Sequence, residues 1–226
     1  RIAVAECYND WPAGLPDHLN MQNTPWNSNA SYYPKIYVPL SERHNGTAKS
    51  GGNYTGFAMI NDSSDGLFWY TRAYFHIEGM IGDNNGQGET TFSCYYGNCI
   101  VKDCIALNAG AGAQSSGFWA GTVAGNNTFI NCIAYNVVAG FYGNTYSGNK
   151  YINCTAYNCT TGFSTNANSA GAVSAVNCLA AGCTTGFAAP NLTAAMTLNY
   201  CASDDGTADD FGGTGNRVDQ TFSFVN

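Results

Sequence analysis

This chain carries little charge. Asp, Glu, Lys and Arg make up only 10% of it, against about a quarter of an ordinary soluble domain. Between residues 104 and 203 the only charged side chain is Lys150. Eight Lys and Arg face fifteen Asp and Glu, for a net charge of −7, and no basic cluster occurs. A phosphate-backbone partner needs such a cluster, so nucleic acid is excluded as a partner. No apolar run reaches the roughly 18 residues of a membrane-spanning helix. No stretch within the repeats carries an apolar stripe of helical period, and no unit is leucine-rich, which excludes helical and leucine-rich repeats. With three histidines (His18, His44, His76) and no paired Cys-x-x-Cys, a structural zinc site is also excluded.

What is present is repetition. Asp103-Cys-Ile-Ala-Leu-Asn108, Asn131-Cys-Ile-Ala-Tyr-Asn136, Asn153-Cys-Thr-Ala-Tyr-Asn158 and Asn177-Cys-Leu-Ala-Ala-Gly182 are versions of one segment. A Gly-Phe pair accompanies each, at Phe118, Phe141, Phe163 and Phe187. The cysteines at 104, 132, 154 and 178 stand 28, 22 and 24 residues apart. A period of this size means a solenoid, in which each unit buries its apolar face only against its neighbours. Inside the unit the period is 2, that of a strand. Ile130, Cys132 and Ala134 form the small, apolar, inward face, echoed by Ile152, Cys154, Ala156 and by Val176, Cys178, Ala180. Asn131, Ile133 and Tyr135 form the outward one. The fold class is therefore all-β: a parallel β-helix solenoid of about six coils of 22–28 residues over 73–203. Residues 1–72 form a non-repeat N-terminal cap or extension with short strands, and 204–226 an acidic loop with a C-terminal strand at Thr221-Phe-Ser-Phe-Val225.

The recurrent Asn beside an inward small residue, the Gly-Phe one strand later and the coil length together resemble right-handed parallel β-helices of the pectate-lyase-like architecture, over roughly residues 73–203. The resemblance implies ladders of like residues on successive coils. Asn131, Asn153 and Asn177 form one, with Asn136 and Asn158 at turns, and Phe118, Phe141, Phe163 and Phe187 stack inside. Enzymes of this architecture present carboxylates with an Arg or Lys along one strand face. The outward positions here hold Asn, Ile, Tyr, Thr and Leu instead, without the carboxylate pair that glycoside hydrolysis uses, so no catalytic residue is assigned.

Cys104, Cys132, Cys154 and Cys178 recur at one inward position, about 4.8 Å apart on neighbouring strands. Parallel Cβ vectors suit buried thiols better than disulfides, although bridges such as Cys94 to Cys99 or Cys154 to Cys159 are the alternative. Two acidic segments offer oxygen ligands for a structural calcium ion: Asp83, Asn85 and Glu89, and Asp204, Asp205, Asp209 and Asp210. Solvated acidic turns are the competing reading. Of eight Asn-x-Ser/Thr sequons, Asn29, Asn45, Asn53 and Asn126 are the glycosylation candidates. The chain opens at Arg1 rather than Met, as a processed or partial product would.

Two function classes fit these features. One is a structural subunit of an extracellular assembly (a surface filament, sheath or phage appendage), at a cell or virion surface. Bare strand edges at the two ends of the coil would join copies into a homopolymer, and an apolar stripe of Ile133, Tyr135, Tyr151 and Tyr157 would form contacts. The alternative is a glycan-binding or glycan-degrading module, in which those tyrosines stack on sugar rings.

Overall fold

The computed structural model describes residues 2–21, 27–70, 72–112, 115–121, 123–144, 148–166, 173–189 and 196–223. The chain winds into a parallel β-solenoid whose three sheets contain eight, eight and seven strands. The first sheet runs from Ala3–Glu6 through His76–Glu78, Thr128–Ile130 and Lys150–Ile152 to Met196–Asn199. The second includes Ile81–Asp83, Ile133–Tyr135 and Thr155–Tyr157 and ends at Ala202–Ser203. The third includes Phe68–Tyr70, Phe92–Cys94, Ser116–Ala120 and Ala139–Gly143 and ends at Thr185–Ala188. His76 to Ala188 makes five complete turns, and residues 196–203 begin a sixth. Residues 3–70 contribute strands to the same three sheets, so the short strands read as an extension lie in coil register. Residues 38–57 form a long insertion between Pro34–Tyr37 and Ala58–Ile60, and its hairpin Lys49–Ser50 with Asn53–Tyr54 is antiparallel. Among the described residues no helix is long and apolar enough to cross a membrane.

The segment from Phe129 to Tyr135 is two strands, not one. Asn131 sits between them in the left-handed region at φ 54°, as do Asp103 (52°), Asn153 (54°), Asn177 (53°) and Tyr200 (55°) in their coils. Asparagine tolerates this conformation because its short amide bonds locally. The bend resets the alternation. Phe129, Cys132 and Ala134 point inward and are fully buried, whereas Ile130, Ile152 and Val176, expected inside, are only half-buried. Tyr151, expected on the exposed stripe, pairs with Phe129 and Ala175 and is buried completely.

Within the coil the ladders hold and lengthen. Phe68, Phe92, Phe118, Phe141, Phe163 and Phe187 form one column with ring centroids 4.7, 5.1, 4.8, 4.7 and 5.0 Å apart. A glycine precedes the last four of these phenylalanines, and Gly117, Gly140 and Gly162 face the alanine column of the second sheet. A Cβ at Gly140 would lie 2.5 Å from the Gly162 carbonyl and 3.0 Å from Ala156, so no larger residue fits there. Cys104, Cys132, Cys154, Cys178 and Cys201 are all buried, and each sulfur lies 3.2–3.5 Å from the carbonyl two residues before it. All ten cysteines are free.

The amide ladders have a direction. Asn177 donates to Asn153 (2.9 Å), Asn153 to Asn131 (3.2 Å), and Asn131 to the Asp103 carboxylate (2.9 Å). A second ladder runs from Asn136 to Asn108 (2.9 Å) and on to Asp83 (3.0 Å). Each ladder thus terminates on an aspartate, which can only accept.

Candidate functional site

Because the phenylalanine of each third-sheet strand points inward, the next residue points out. Trp69, Ser93, Trp119 and Tyr142 therefore form one outward row across four successive coils. Tyr95 leans over this row, 5.7 Å from Trp119 at an interplanar angle of 69° and 6.4 Å from Trp69. The two indoles are 6.1 Å apart. Trp119 is buried and forms the floor, while Trp69, Tyr95 and Tyr142 remain partly accessible. Together they line an open cleft of about 490 Å³, within the range of ligand sites.

Polar groups close the other side. Asn166 donates to the Asn144 side-chain Oδ1 at 2.8 Å, and both amides line the cleft beside Ser115. Ser115 is anchored on the Gly88 carbonyl at 2.8 Å. Ser93, on the row between the two indoles, is buried and its hydroxyl has no protein partner. Among the described residues lining the cleft none is charged. Burial pushes the Tyr142 phenol upward, so it stays neutral. The rings are too close together to enclose a cation between them, as an aromatic cage for quaternary ammonium requires. What this arrangement can do is stack on a flat apolar face and bond hydroxyls around its edge.

Charged side chains converge elsewhere, at the junction of the first and second sheets. Arg43, from the insertion, bonds Glu78 at 2.9 Å, Asp103 at 3.1 Å and the Val38 carbonyl at 2.7 Å. Lys35 reaches Glu78 at 2.8 Å, and Lys102 reaches Glu78 at 3.3 Å and Asp103 at 3.4 Å. Burial raises the Glu78 carboxyl, but hydrogen bonds from Lys35 and Arg43 outweigh it and hold the group at about 2. Burial lowers the neighbouring His44 imidazole despite its contact with the Asp103 carbonyl. Each carboxylate here is clamped by cations, which suits a tie between coils better than proton transfer.

The calcium candidates have other partners. Asp83 is buried and accepts from Tyr54 (2.6 Å), the Asn85 N–H (2.9 Å) and Lys49 (3.2 Å). Asn85 is exposed, and the Glu89 carbonyl accepts from Asn84 at 2.5 Å. Asp204 accepts the Gly182 N–H at 2.6 Å, and Asp205 that of Gly186 at 2.7 Å. Asp209 and Asp210 are exposed. The only cluster of three metal-ligating side chains among the described residues is Asp17, His18 and Asp62, at the surface. The glycosylation candidates Asn29, Asn45, Asn53 and Asn126 are all exposed. Of the expected contact stripe, Tyr135 and Tyr157 stack on the outer second sheet at 5.7 Å, with Ile133 beside them. Residues 224–226, including Val225 of the expected C-terminal strand, lie outside the described residues, and Thr221–Ser223 form no strand.

The aromatic row was not among the residues singled out from sequence. Its signal was present in the doublets Phe68-Trp69, Phe118-Trp119 and Phe141-Tyr142: if the phenylalanine points in, its neighbour points out. No protein-family model and no curated protein matches this sequence.

Proposed function

We propose that this protein is a glycan-binding β-solenoid whose site is the cleft on the outer face of the third sheet. The observation that carries this reading is the row holding Trp69, Trp119 and Tyr142 across four successive coils, edged by the Asn144 and Asn166 amides. Sugar rings have one apolar face and an edge of hydroxyls, which is the complement of that surface. A glycan array probed with the intact chain and with a Trp69→Ala, Tyr142→Ala double variant tests it. Binding that disappears in the folded double variant is the expected result. Binding unchanged by both substitutions would move the site elsewhere.

A second reading, a structural subunit that self-associates at the surface of a cell or virion, is supported by one edge. The strand Ala3–Glu6 ends the first sheet and is exposed throughout. Ala3 and Cys7 donate to the Tyr33 and Tyr37 carbonyls, so by alternation the Val4 and Glu6 N–H groups point to the open side. Ile2, Val4, Tyr8 and Trp11 are exposed nearby. Val4→Pro removes an outward donor and leaves the inner pairing intact. Under this reading it converts an associating chain to a monomer in sedimentation velocity, and an intact chain that is already monomeric at high concentration refutes it.

A further inference from the structure

We infer that the ligand of the aromatic cleft is an uncharged oligosaccharide lying along the solenoid axis, an inference that rests on the glycan-binding reading above. Direction comes from register. Trp69 and Tyr142 stand on the first and last of four adjacent parallel strands, and strand spacing places them about 14 Å apart along the stacking direction. The accessible rings therefore flank the buried Trp119 floor along the axis and not around the coil. A single ring cannot engage both ends, whereas a short linear chain can.

Charge selects the class. An anionic saccharide such as a uronate chain needs a cation near each carboxylate. Among the described residues none lines the cleft, and Lys150, the only charged residue in 104–203, lies on the first sheet. The net charge of −7 opposes approach of a polyanion. The groups that do face the ligand are neutral: two amides, serine hydroxyls and a phenol whose ionisation is pushed upward by burial.

The test is titration of the full chain by tryptophan fluorescence and calorimetry with two sets of probes. One set holds neutral hexasaccharides of glucan, mannan, xylan and galactan, and the other oligogalacturonate and hyaluronan fragments. The expected result is binding of at least one neutral probe with an affinity unchanged between low and high salt. Tyr142→Ala should weaken it roughly tenfold, while Tyr142→Phe stays within about twofold. Trp69→Ala, at the other end of the row, is the second variant should Tyr142→Ala misfold. Shortening the neutral probe to a monosaccharide should abolish binding, and full retention would overturn the axial placement. Binding only to the anionic probes, weakened by salt, would overturn neutrality and leave the glycan site standing. If no saccharide of either class binds, in titration or on the array, the glycan-binding reading itself falls.

Discussion

Single residues set the geometry of this solenoid at its corners. Asn153 holds a left-handed backbone and passes an amide ladder from Asn177 to Asn131. Asn153→Ala loses both and should destabilise the chain by about 2 kcal/mol. Asn153→Gly keeps the backbone and loses the ladder, costing about 1 kcal/mol; equal midpoints for the two variants in urea would show that the left-handed corner is unimportant. The inward cysteines make a second residue-level prediction. Burial pushes the Cys132 thiol upward, and among the ten only Cys7 and Cys183 are even half-accessible. Thiol titration without reductant should thus find ten groups after denaturation, and at most those two in the native protein. Fewer than six after denaturation would mean that the coil is bridged by disulfides. The recurrence of Asn, Cys and Gly-Phe was enough to read the coil, its thiol column and its phenylalanine column from sequence. The burial of Tyr151 was not legible, because a period of 2 carried through Asn131 or Asn153 ignores the corner and inverts every assignment before it.

Elements are tied together by groups that sequence proximity cannot reveal. Arg43 stands 35 residues from Glu78 and 60 from Asp103, so no local pattern pairs them, and the insertion that carries it has no repeat. Its Nε–H holds the Val38 carbonyl while its other nitrogens span two coils. Because Glu78 is held at about 2 in the fold, below its ordinary value near 4.5, its contribution to stability is complete above that ordinary value. It is lost as pH falls from there toward 2. Melting temperature should therefore decline through this window, and Glu78→Gln should lower it at neutral pH while flattening the acid decline. An unchanged acid profile in that variant would assign the decline to other carboxylates, such as Asp83 or Asp205, whose hydrogen bonds also hold them low against burial. The aromatic row belongs to the same scale. It exists only once three strands from separate coils are in register, although each Phe-Trp or Phe-Tyr doublet announces its outward member.

The whole molecule is asymmetric, and the asymmetry decides how it meets other copies. Stacked coils leave an open edge at each end, and bare edges invite strand addition. At the C-terminal end residues 204–220 fold back over the last coil. Asp205 and the Thr207 hydroxyl accept the Gly186 and Phe187 N–H groups at 2.7 and 2.9 Å. Asn216 takes the Cys201 N–H at 3.0 Å and donates to the Leu198 carbonyl at 3.0 Å. Arg217 bridges Ala202 in parallel, and Ala208 is fully buried beneath the turn. The acidic segment thereby satisfies main-chain donors that a bare coil would expose, while Ala3–Glu6 keeps its edge open at the other end. Removing residues 204–226 should leave both ends open. The truncated chain should then grow by head-to-tail strand addition, a heterologous contact that does not close and so yields filaments. Electron microscopy and sedimentation velocity at matched concentrations would record the growth. Adding Val4→Pro to the truncated chain should stop it, because the incoming strand loses an outward N–H while the exposed C-terminal coil is untouched. If the truncation stays as small as the intact protein and still has its β circular-dichroism signal, the C-terminal segment is not what keeps that edge from pairing.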